Sequence, residues 1–488
     1  MNTKETPMQP KDRDFFRRIR QAILTNPFSG ERLAIDLELT SMSPNQSIEA
    51  ILERLIQVTA QGIDRVKRSV DGRLNRLSAE DHELLQVGML FHAFHVYCDK
   101  FDTLISQQIL QGEESCQVPF ANDFLESLHD CGIGKRESLR YFGLFFQMRR
   151  AFFFISRITG QSDSVKELRS RLWNNIFTCD IELYERHLLN RLEDFSTMLL
   201  GETGTGKGLA AAAIGRSGYI PFDDKRGCFT ESFAKAFISI NLSQFPEQLI
   251  ESELFGHRKG AFTGAIDSYK GIFSRCSPHG SIFLDEIGDV EIPVQIKLLK
   301  ILQERNFTPV GSRKAERFNG RVIAATNQSL HEMRTRGEFR EDFYYRLCSD
   351  IIEVPPLRKR LTEYPDELTI ILSFILSNIL GKASPELLEK VGDYIISNQP
   401  ADYPWPGNIR ELEQCVRRYL INNAYDWQDI AADKTSNLAQ EIEAGELTAQ
   451  ELLSTYCKSL YQKLGSYEGV ARKIDLDRRT VKKYVLQE

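Results

Sequence analysis

Two segments of the sequence carry the residue types of a nucleoside triphosphate site. The first is the glycine-rich run Gly201–Lys207, which follows an apolar run and precedes a helical pattern at Leu209–Ile214. In this context the glycines let backbone amides surround phosphates, and Lys207 reaches the β- and γ-phosphate oxygens. The second is Ser281–Glu286, an apolar strand that ends on two carboxylates. Because ligands of open α/β sheets bind beyond the carboxyl ends of the strands, the two segments are expected to meet.

The expected nucleotide contacts come from the glycine-rich run and the residue after it: Gly201, Glu202, Thr203, Gly204, Thr205, Gly206, Lys207 and Gly208. Gly208 stands where a Ser or Thr hydroxyl would reach Mg²⁺, so the metal must rely on Asp285 and on phosphate and water oxygens. Glu286 would orient and polarise the attacking water. The plainer alternative is two solvated acids at a strand end, against which the glycine-rich run argues.

Two asparagines end neighbouring strands of the same pattern. Asn327 follows Arg321–Thr326, where a neutral amide can sense the γ-phosphate or position water, although Asn at a strand end is equally a turn former. Asn241 follows Phe237–Ile240 and could hold Glu286 in an inactive rotamer. Both are therefore candidate catalytic residues.

A hexapeptide of small residues lies between the two halves of this site. It consists of Gly260, Ala261, Phe262, Thr263, Gly264 and Ala265. One Phe and one Thr among Gly and Ala have no evident role in phosphate chemistry. Taken alone, such a segment is usually only a loop.

The elements that position these residues follow from the apolar pattern. Residues 160–423 alternate short apolar runs with helical patterns, which predicts a parallel sheet covered on both faces, and the pattern becomes all-helical after Pro365. Residues 1–158 show apolar spacings of three and four that predict helices. The predicted fold class is therefore multidomain: a helical N-terminal domain, an α/β P-loop domain followed by a helical segment, and a C-terminal helical unit.

Composition excludes several classes of protein. The 488 residues suggest about three domains. Nine cysteines without a Cys-x-x-Cys pair favour a reducing cytosol over a disulfide framework. The most apolar stretch, Tyr141–Ile155, is short and broken by Arg149-Arg150, so we expect a cytoplasmic protein without membrane contact. The net charge of −6 means that any DNA contact must come from a local patch.

Taken together, the motifs resemble the AAA+ domain of bacterial enhancer-binding proteins, the activators of sigma-54 RNA polymerase. The matching segments are Gly201–Lys207, Glu251–His257, Gly260–Ala265, Phe283–Glu286, Phe339–Leu347, Pro355–Arg358 and Trp405–Leu412. The resemblance implies a ring, commonly a homo-hexamer, that binds ATP with Mg²⁺ between protomers. It also implies that the hexapeptide, with Phe262 and Thr263 at its tip, engages sigma-54 and transmits hydrolysis as movement that opens the promoter.

Three arginines match functional positions of that family. Arg340 and Arg346 match the arginine fingers, whose guanidinium groups neutralise charge on the γ-phosphate of the neighbouring subunit. Arg410 matches the sensor II arginine of the lid, which contacts phosphate in its own subunit. Without the surrounding match, surface or salt-bridged arginines would be the plainer interpretation.

The sequence departs from the family pattern at three places. Gly208 replaces the usual Glu after the P-loop lysine, which bears on the hydrolysis rate. Ser217–Lys235 is longer than the usual connection, and Gly271–Gly280 carries an extra residue. We interpret both segments as surface insertions, which loops tolerate.

The C-terminal residues fit a helix-turn-helix similar to the Fis-type element of the same family. Tyr467–Ile474 is the predicted first helix, Asp475–Asp477 the turn, and Arg478–Val485 the recognition helix. The expected DNA contacts at upstream enhancer sites are Arg478, Arg479, Thr480, Lys482 and Lys483. Residues 466–488 hold six basic against four acidic residues, so a plain helical hairpin with a charged face is the alternative.

The N-terminal region shows neither the pattern of a phosphoacceptor receiver domain nor that of a familiar ligand-sensing domain. We hypothesise that it senses a signal or partner and controls ring assembly. Its His and Cys residues could collect a metal, but packed or solvated side chains are the simpler interpretation: His92, His95, Cys98, His129 and Cys131. The aromatic run between Tyr141 and Phe154 favours core packing, and it could also bind a partner or the ATPase domain.

The predicted boundaries are 1–158 for the helical regulatory domain, 159–362 for the α/β ATPase subdomain, 363–423 for its lid, 424–446 for an acidic linker and 447–488 for the helix-turn-helix. Three functions compete. The first is an ATP-driven, DNA-bound activator of sigma-54 RNA polymerase holoenzyme. The second is a DNA-binding regulator whose ATPase domain serves only assembly, and the third is another AAA+ remodeller, such as a protease partner or metal chelatase.

Overall fold

The computed structural model describes residues 6–189, 191, 194–382, 384–427 and 448–486. These residues fold as two compact units. The first comprises Met1–Gly392 and Pro404–Gln414, and the second comprises Asp393–Tyr403 and Cys415–Glu488.

Helices make up the amino-terminal part of the first unit. They are α1 (Pro10–Leu24), α2 (Gly30–Thr40), α3 (Ile48–Ser69), α4 (Ala79–Val96), α5 (Cys98–Gln111), α6 (Ala121–Asp130), α7 (Lys135–Ser156), α8 (Asp163–Phe177) and the single turn α9 (Ile181–Leu183). Serine side chains cap several of them: Ser47 accepts the amide of Ala50 at α3, and Ser78 accepts that of Asp81 at α4. The predicted helical character of this region is confirmed.

A parallel sheet and its helices follow. The strands are β1 (Thr197–Leu200), β2 (Phe222–Asp223), β3 (Cys228–Phe229), β4 (Phe237–Asn241), β5 (Ser281–Asp285), β6 (Asn306–Phe307), β7 (Glu316–Arg317), β8 (Arg321–Thr326) and β9 (Asp350–Glu353). The helices among and after them are α10 (Lys207–Gly215), α11 (Glu247–Phe255), α12 (Ile272–Arg275), α13 (Ile292–Glu304), α14 (Leu330–Thr335), α15 (Glu341–Leu347), α16 (Leu357–Glu363), α17 (Glu367–Leu380), α18 (Pro385–Asn398) and α19 (Asn408–Asn422). The large sheet has the order β4-β5-β8-β1-β9, all parallel, which confirms the predicted α/β class.

The two faces of the sheet pack on different partners. Alternate residues of each strand point to opposite faces. Leu199, Phe283 and Ile323 belong to one hydrophobic cluster, which they share with α5, α7 and α8. Met198 and Ile282 belong to a second cluster, which they share with α11, α13 and α15. Helices α10 and α8 contact the sheet face of the first cluster, and α7 of the N-terminal helical region packs against both of them.

The interpretation of Ser217–Lys235 as a surface insertion is wrong. The strands β2 and β3 of this segment form an antiparallel pair. Phe222, Phe229 and Phe233 are no more than 6% exposed and join the same cluster as α7. The second predicted insertion is also not superficial, because Ile272 and Phe273 of α12 are 2% exposed. Both segments bury apolar side chains that a tolerated surface loop would leave in water.

The carboxyl-terminal helices are α20 (Ala449–Leu464), α21 (Tyr467–Ile474) and α22 (Arg478–Leu486). A capping box of Thr448 and Glu451 begins α20. Of the predicted acidic linker, residues 428–446 lie outside the described residues. Just before them Tyr425 is buried, and its amide donates to the Tyr394 hydroxyl at 2.7 Å.

None of the helices among the described residues has both the length and the apolar character needed to cross a membrane.

Candidate nucleotide site

The glycine-rich run wraps the amino-terminal end of α10. Gly204 and Gly206 have φ values of 81° and 106°, a region that side chains with a Cβ rarely adopt. A Cβ on Gly204 would stand 2.1 Å from the carbonyl oxygen of Gly407, so only glycine fits there. Lys207 is 7% exposed and donates through Nζ to the carbonyl oxygen of Gly201 at 2.8 Å. This cradle of backbone and one buried ammonium fits a polyphosphate.

Two carboxylates end β5 beside this cradle. Burial raises the pKa of Asp285 and of Glu286, and the Lys207 ammonium acts against that rise in both. Burial lowers the pKa of Lys207 in turn. A desolvated carboxylate is a good ligand for a hard cation, so Asp285 fits Mg²⁺, while Gly208 offers no hydroxyl.

Glu286 is held in an unusual backbone conformation, with φ of 54°. Its Oε2 accepts the backbone amide of Asn327 at 3.3 Å, which fixes the carboxylate at the end of β8. The side-chain amide of Asn327 donates to Thr203 Oγ1 at 2.8 Å. Asn327 thus links the glycine-rich run to the acid that would act on water.

Asn241 is opposite Asp285 in the register of β4 and β5 and lines the same cavity. Its Oδ1 accepts the amide of Ser243 at 3.0 Å and the Ser243 hydroxyl at 2.7 Å. The side-chain oxygen of Asn241 is therefore bonded within its own turn, and the hydrogen bond to the Glu286 carboxylate comes from Asn327.

A cavity of about 300 Å³ joins these residues to the lid and to the end of the helical region. Its lining includes Thr203 through Leu209, Asn241, Asp285, Glu286 and Arg410. Apolar side chains form the other end, among them Ile158, Val165, Leu168, Ile371 and Phe374. A cavity with a cationic, amide-rich end and an apolar end suits a nucleotide, whose phosphates and base make the same division.

The lid is tied to the glycine-rich run by Asn408, which the sequence motif did not single out. Asn408 is fully buried and donates to Glu202 Oε2 and to the carbonyl oxygen of Thr203, both at 3.1 Å. Its Oδ1 accepts the amide of Leu357 at 2.7 Å. Arg358 pairs with Glu202 and holds the pKa of that carboxyl below its ordinary value. Glu202 is thus engaged by the lid as well as forming part of the loop.

The two finger arginines lie outside the cavity of their own chain. Arg340 pairs with Asp342 at 2.7 Å. Arg346 donates to the carbonyl oxygen of Leu302 from two nitrogens, at 2.9 and 2.8 Å. The structure therefore separates these arginines from the site that contains Lys207 and Arg410.

The hexapeptide closes an exposed loop whose base is anchored. His257 and Tyr269 exchange two backbone hydrogen bonds at 3.0 and 2.9 Å. Gly260 donates to the carbonyl oxygen of Ala265 at 2.8 Å, which draws the ends of the hexapeptide together. Phe262 is 39% exposed and meets the edge of His257, and Thr263 is exposed. The hexapeptide presents the Phe262 ring and the Thr263 hydroxyl on a fixed base.

The second unit contains the residues predicted to meet DNA. Val470 and Val481 are buried between α21 and α22, with Leu476 packed against them. Asp475 takes φ of 53° in the turn, and Asp477 accepts the amide of Arg479 at 2.6 Å. Of the predicted contacts, Thr480 is half-buried and the others are exposed: Arg478, Arg479, Lys482 and Lys483.

The histidines and cysteines of the helical region do not gather. His95 is half-buried, and its Nδ1 lies 2.8 Å from the carbonyl oxygen of Phe91. Burial lowers the pKa of His95 to about 3, so the ring is neutral. Across the described part of the chain, no three His, Cys, Asp or Glu residues are placed to hold a metal ion.

Sequence reasoning missed one wall of the cavity. Arg157, Ile158 and Thr159 line it, and they directly follow the last turn of α7. The predicted boundary at residue 158 runs through this wall. Asn408 and Arg358 belong to the family-like segments Trp405–Leu412 and Pro355–Arg358, and this membership was the available signal.

Comparison with known proteins finds matches among sigma-54-dependent transcriptional activators. The family model described as the sigma-54 interaction domain matches residues 182–353. The chain is 38% identical over 272 residues to the sigma54-dependent transcriptional activator SfnR of Pseudomonas putida, covering 55% of this chain and 69% of that protein. It is 41% identical over 226 residues to the Nif-specific regulatory protein of Azotobacter vinelandii, covering 46% of this chain and 40% of that one.

Among solved structures, NtrX from Brucella abortus in complex with ADP matches 75% of this chain and 79% of its own, with 19% identity and a TM-score of 0.41.

Proposed function

The chain belongs to the sigma-54-dependent transcriptional activators, and from this premise we propose that it is a ring-forming ATPase that binds enhancer DNA and remodels sigma-54 RNA polymerase. The activity opens the promoter at the expense of ATP. The observation that carries the proposal is the cavity that gathers Lys207, Asp285, Glu286 and Arg410 of one chain.

The placement of the finger arginines supports assembly into a ring, commonly a hexamer. Arg340 and Arg346 lie outside the cavity of their own chain. A guanidinium can stabilise charge on the γ-phosphate only from contact distance, so these arginines would serve a neighbouring copy. Each site would then be completed by two subunits.

Within one subunit the roles follow from position. ATP with Mg²⁺ supplies the transferable phosphoryl group and the neutralising cation. Lys207 and the amides of the glycine-rich run would hold the phosphates, and Asp285 would hold the metal. Glu286, with its raised pKa, accepts the proton of the attacking water. Asn327 orients Glu286 and links it to the phosphate loop, and Arg410 contacts phosphate from the lid.

The exposed loop would be the output element. Phe262 and Thr263 stand at its tip, away from the phosphate cradle, on a base held by the His257–Tyr269 hydrogen bonds. A loop with a fixed base can transmit movement of the sheet to sigma-54. The helices α21 and α22 would read enhancer DNA through the exposed Arg478 and Arg479, with Lys482 and Lys483 on phosphates.

A second function is favoured by one observation. Gly208 offers no metal ligand, so the domain could bind nucleotide for assembly only, within a DNA-binding regulator. The acid at Glu286 and its fixation by Asn327 favour hydrolysis.

Promoter opening by purified protein, sigma-54 holoenzyme and ATP tests the proposal. The wild type should open a cognate promoter only with hydrolysable ATP. Glu286→Ala should bind ATP but lose about 10²- to 10⁴-fold in turnover. Thr263→Ala should hydrolyse ATP and fail to open DNA. ATP-independent opening, or none on any cognate promoter, would exclude the first function, and normal activation by Thr263→Ala would refute the coupling role of the loop.

A further inference from the structure

A fully buried arginine of the helical region contacts the far end of the P-loop helix. Arg150 lies in α7 and is 0% exposed. Its Nη1 donates to the carbonyl oxygen of Arg216 at 2.7 Å, and its Nη2 donates to that of Gly218 at 2.7 Å. Arg216 is the C-cap of α10, the helix that begins at Lys207. One guanidinium therefore holds the carbonyl groups at and just beyond the end of this helix.

The electrostatics of this contact are those of a helix-end cation. Among the described residues no carboxylate forms an ion pair with Arg150, and burial lowers its pKa to about 9 against the weaker attraction of Tyr184 and Glu231. The carbonyl end of a helix carries partial negative charge, which favours a cation there. The rings of Phe146 and Phe233 lie 4.6 and 5.5 Å from the guanidinium carbon. A buried cation without a carboxylate is costly for stability, so its position calls for another explanation.

Two further residues of α7 face the same segment. Gln147 donates through Nε2 to the carbonyl oxygen of Ser217 at 2.9 Å. Gly143 approaches Tyr219 so closely that a Cβ would lie 2.7 Å from its ring. Residues three and four apart share one face of a helix, so Gly143, Gln147 and Arg150 form a continuous strip.

The two ends of α10 are mechanically joined. Its nine residues span about 13 Å at 1.5 Å per residue. A helix this short moves as a rigid body, so a shift at Arg216 is also a shift at Lys207. The carboxyl end of α7 leads directly into Arg157, Ile158 and Thr159, which line the nucleotide cavity. Helix α7 is thus connected to the site by two routes, through α10 and through the residues that directly follow its last turn.

We infer that Arg150 is a positioning residue of the nucleotide site: by holding the end of α10 it fixes the P-loop, and through it the N-terminal helical region is part of the ATPase. The role given to the site rests on the function proposed above. Arg150 itself contacts no nucleotide and acts through α10.

The neighbouring arginine offers a matched control. Arg149 donates to the carboxylate of Asp102 at 2.6 and 2.5 Å, an interaction within the helical region. Arg150→Met and Arg149→Met each remove one arginine from the same helix and keep its length. The full chain carrying each substitution is compared for affinity for a fluorescent ADP analogue, for Tm, and for amide hydrogen exchange in α10.

We expect Arg150→Met to weaken ADP binding about tenfold and to lose about tenfold protection in α10, with Arg149→Met within about twofold of wild type in both. Arg150→Lys keeps one donor and should recover part of the affinity. Unchanged affinity and protection in Arg150→Met, or equal losses in both variants, would overturn the inference, whatever happens to Tm.

A measurement on the wild type needs no substitution. Coupling is reciprocal, so saturating ADP analogue should slow amide exchange in α7 around Arg150 as well as in α10. Slowing in α10 alone contradicts the inference. If the wild type binds no nucleotide, the proposed function fails instead, and the loss of α10 protection in nucleotide-free Arg150→Met still decides the role of Arg150.

Discussion

The two segments on either side of β4 differ in what they contact. The hairpin segment, residues 217–236, precedes β4 and buries its aromatic side chains against α7. The hexapeptide loop, residues 256–271, follows α11 and leaves Phe262 at 39% and Ile266 at 76% exposed. Each segment follows the end of a helix, α10 or α11. Only the hairpin segment contributes side chains to a hydrophobic core.

This difference assigns the two segments to opposite roles. Phe229 stacks on Phe146 with ring centroids 4.1 Å apart, so the hairpin segment is joined to the helical region by direct packing. The hexapeptide loop is free to meet another molecule. The segment before β4 therefore packs inside the molecule, and the loop that follows α11 faces outward.

The largest expected change in stability comes from removing an aromatic ring of the hairpin segment. Phe229→Ala removes a ring that is 5% exposed and should lower the free energy of unfolding by about 3 to 5 kcal/mol. The measurement is chemical denaturation of the first unit, followed by fluorescence. Leu110→Ala, at an 88% exposed position of the helical region, is the control and should change it by about 0.5 kcal/mol or less. Equal values would mean that the hairpin segment is not part of the core.

A smaller loss should follow from crowding the same interface. Gly143→Ala places a Cβ 2.7 Å from the Tyr219 ring, so the two elements must move apart, at a cost of about 1 to 3 kcal/mol. Gly30→Ala, in a helix with no atom within 4 Å of the new Cβ, is the matched control. It should leave stability unchanged or raise it slightly. Thermal denaturation of both variants checks the difference, and a neutral Gly143→Ala would show that α7 and the hairpin segment are loosely joined.

Local pattern was enough to predict the sheet and the phosphate cradle. Runs such as Arg321–Thr326 are buried on both faces, as expected of a central strand. The glycine-rich run carries glycines at the positions that need a positive φ, Gly204 and Gly206. The hairpin segment could not be predicted in this way, because β2 and β3 have two residues each and show no periodicity. Their partners in α7 lie some 80 residues upstream, beyond any local pattern.

The contacts of Arg149 and Arg150 could not be predicted from local pattern either. Arg149 and Arg150 are adjacent in sequence, and both interrupt an apolar stretch. One pairs with Asp102 and the other holds the end of α10, because successive helical residues point in different directions. The predicted aromatic run could have been core or a docking face for the ATPase domain, and the structure shows that it is both.

A modest gain in stability is expected from replacing Asp285, the last residue of β5. Burial raises the pKa of Asp285, so the folded state holds its proton to a higher pH than the unfolded state does. Ionisation therefore costs stability as pH rises from the ordinary carboxyl range through the raised pKa. Asp285→Asn should raise Tm by about 1 to 2 °C at pH 7.5 in EDTA, a gain that disappears in acid. Scanning calorimetry against pH measures it, and a lower Tm would mean that attraction to Lys207 outweighs burial.

The smallest change in stability should come from a substitution in the hexapeptide loop. Phe262→Ala removes the same kind of side chain as Phe229→Ala, from a position that is 39% exposed and where the ring meets only His257 among its described ring contacts. Stability should change by about 0.5 kcal/mol or less, since little apolar surface is buried there. ATP turnover should also stay near wild type, because the ring lies outside the cavity, while promoter opening with sigma-54 holoenzyme is lost. The free energy of unfolding, ATP turnover and promoter opening are measured on one preparation. A stability loss as large as that of Phe229→Ala would mean that the hexapeptide loop is a structural contact like the hairpin segment.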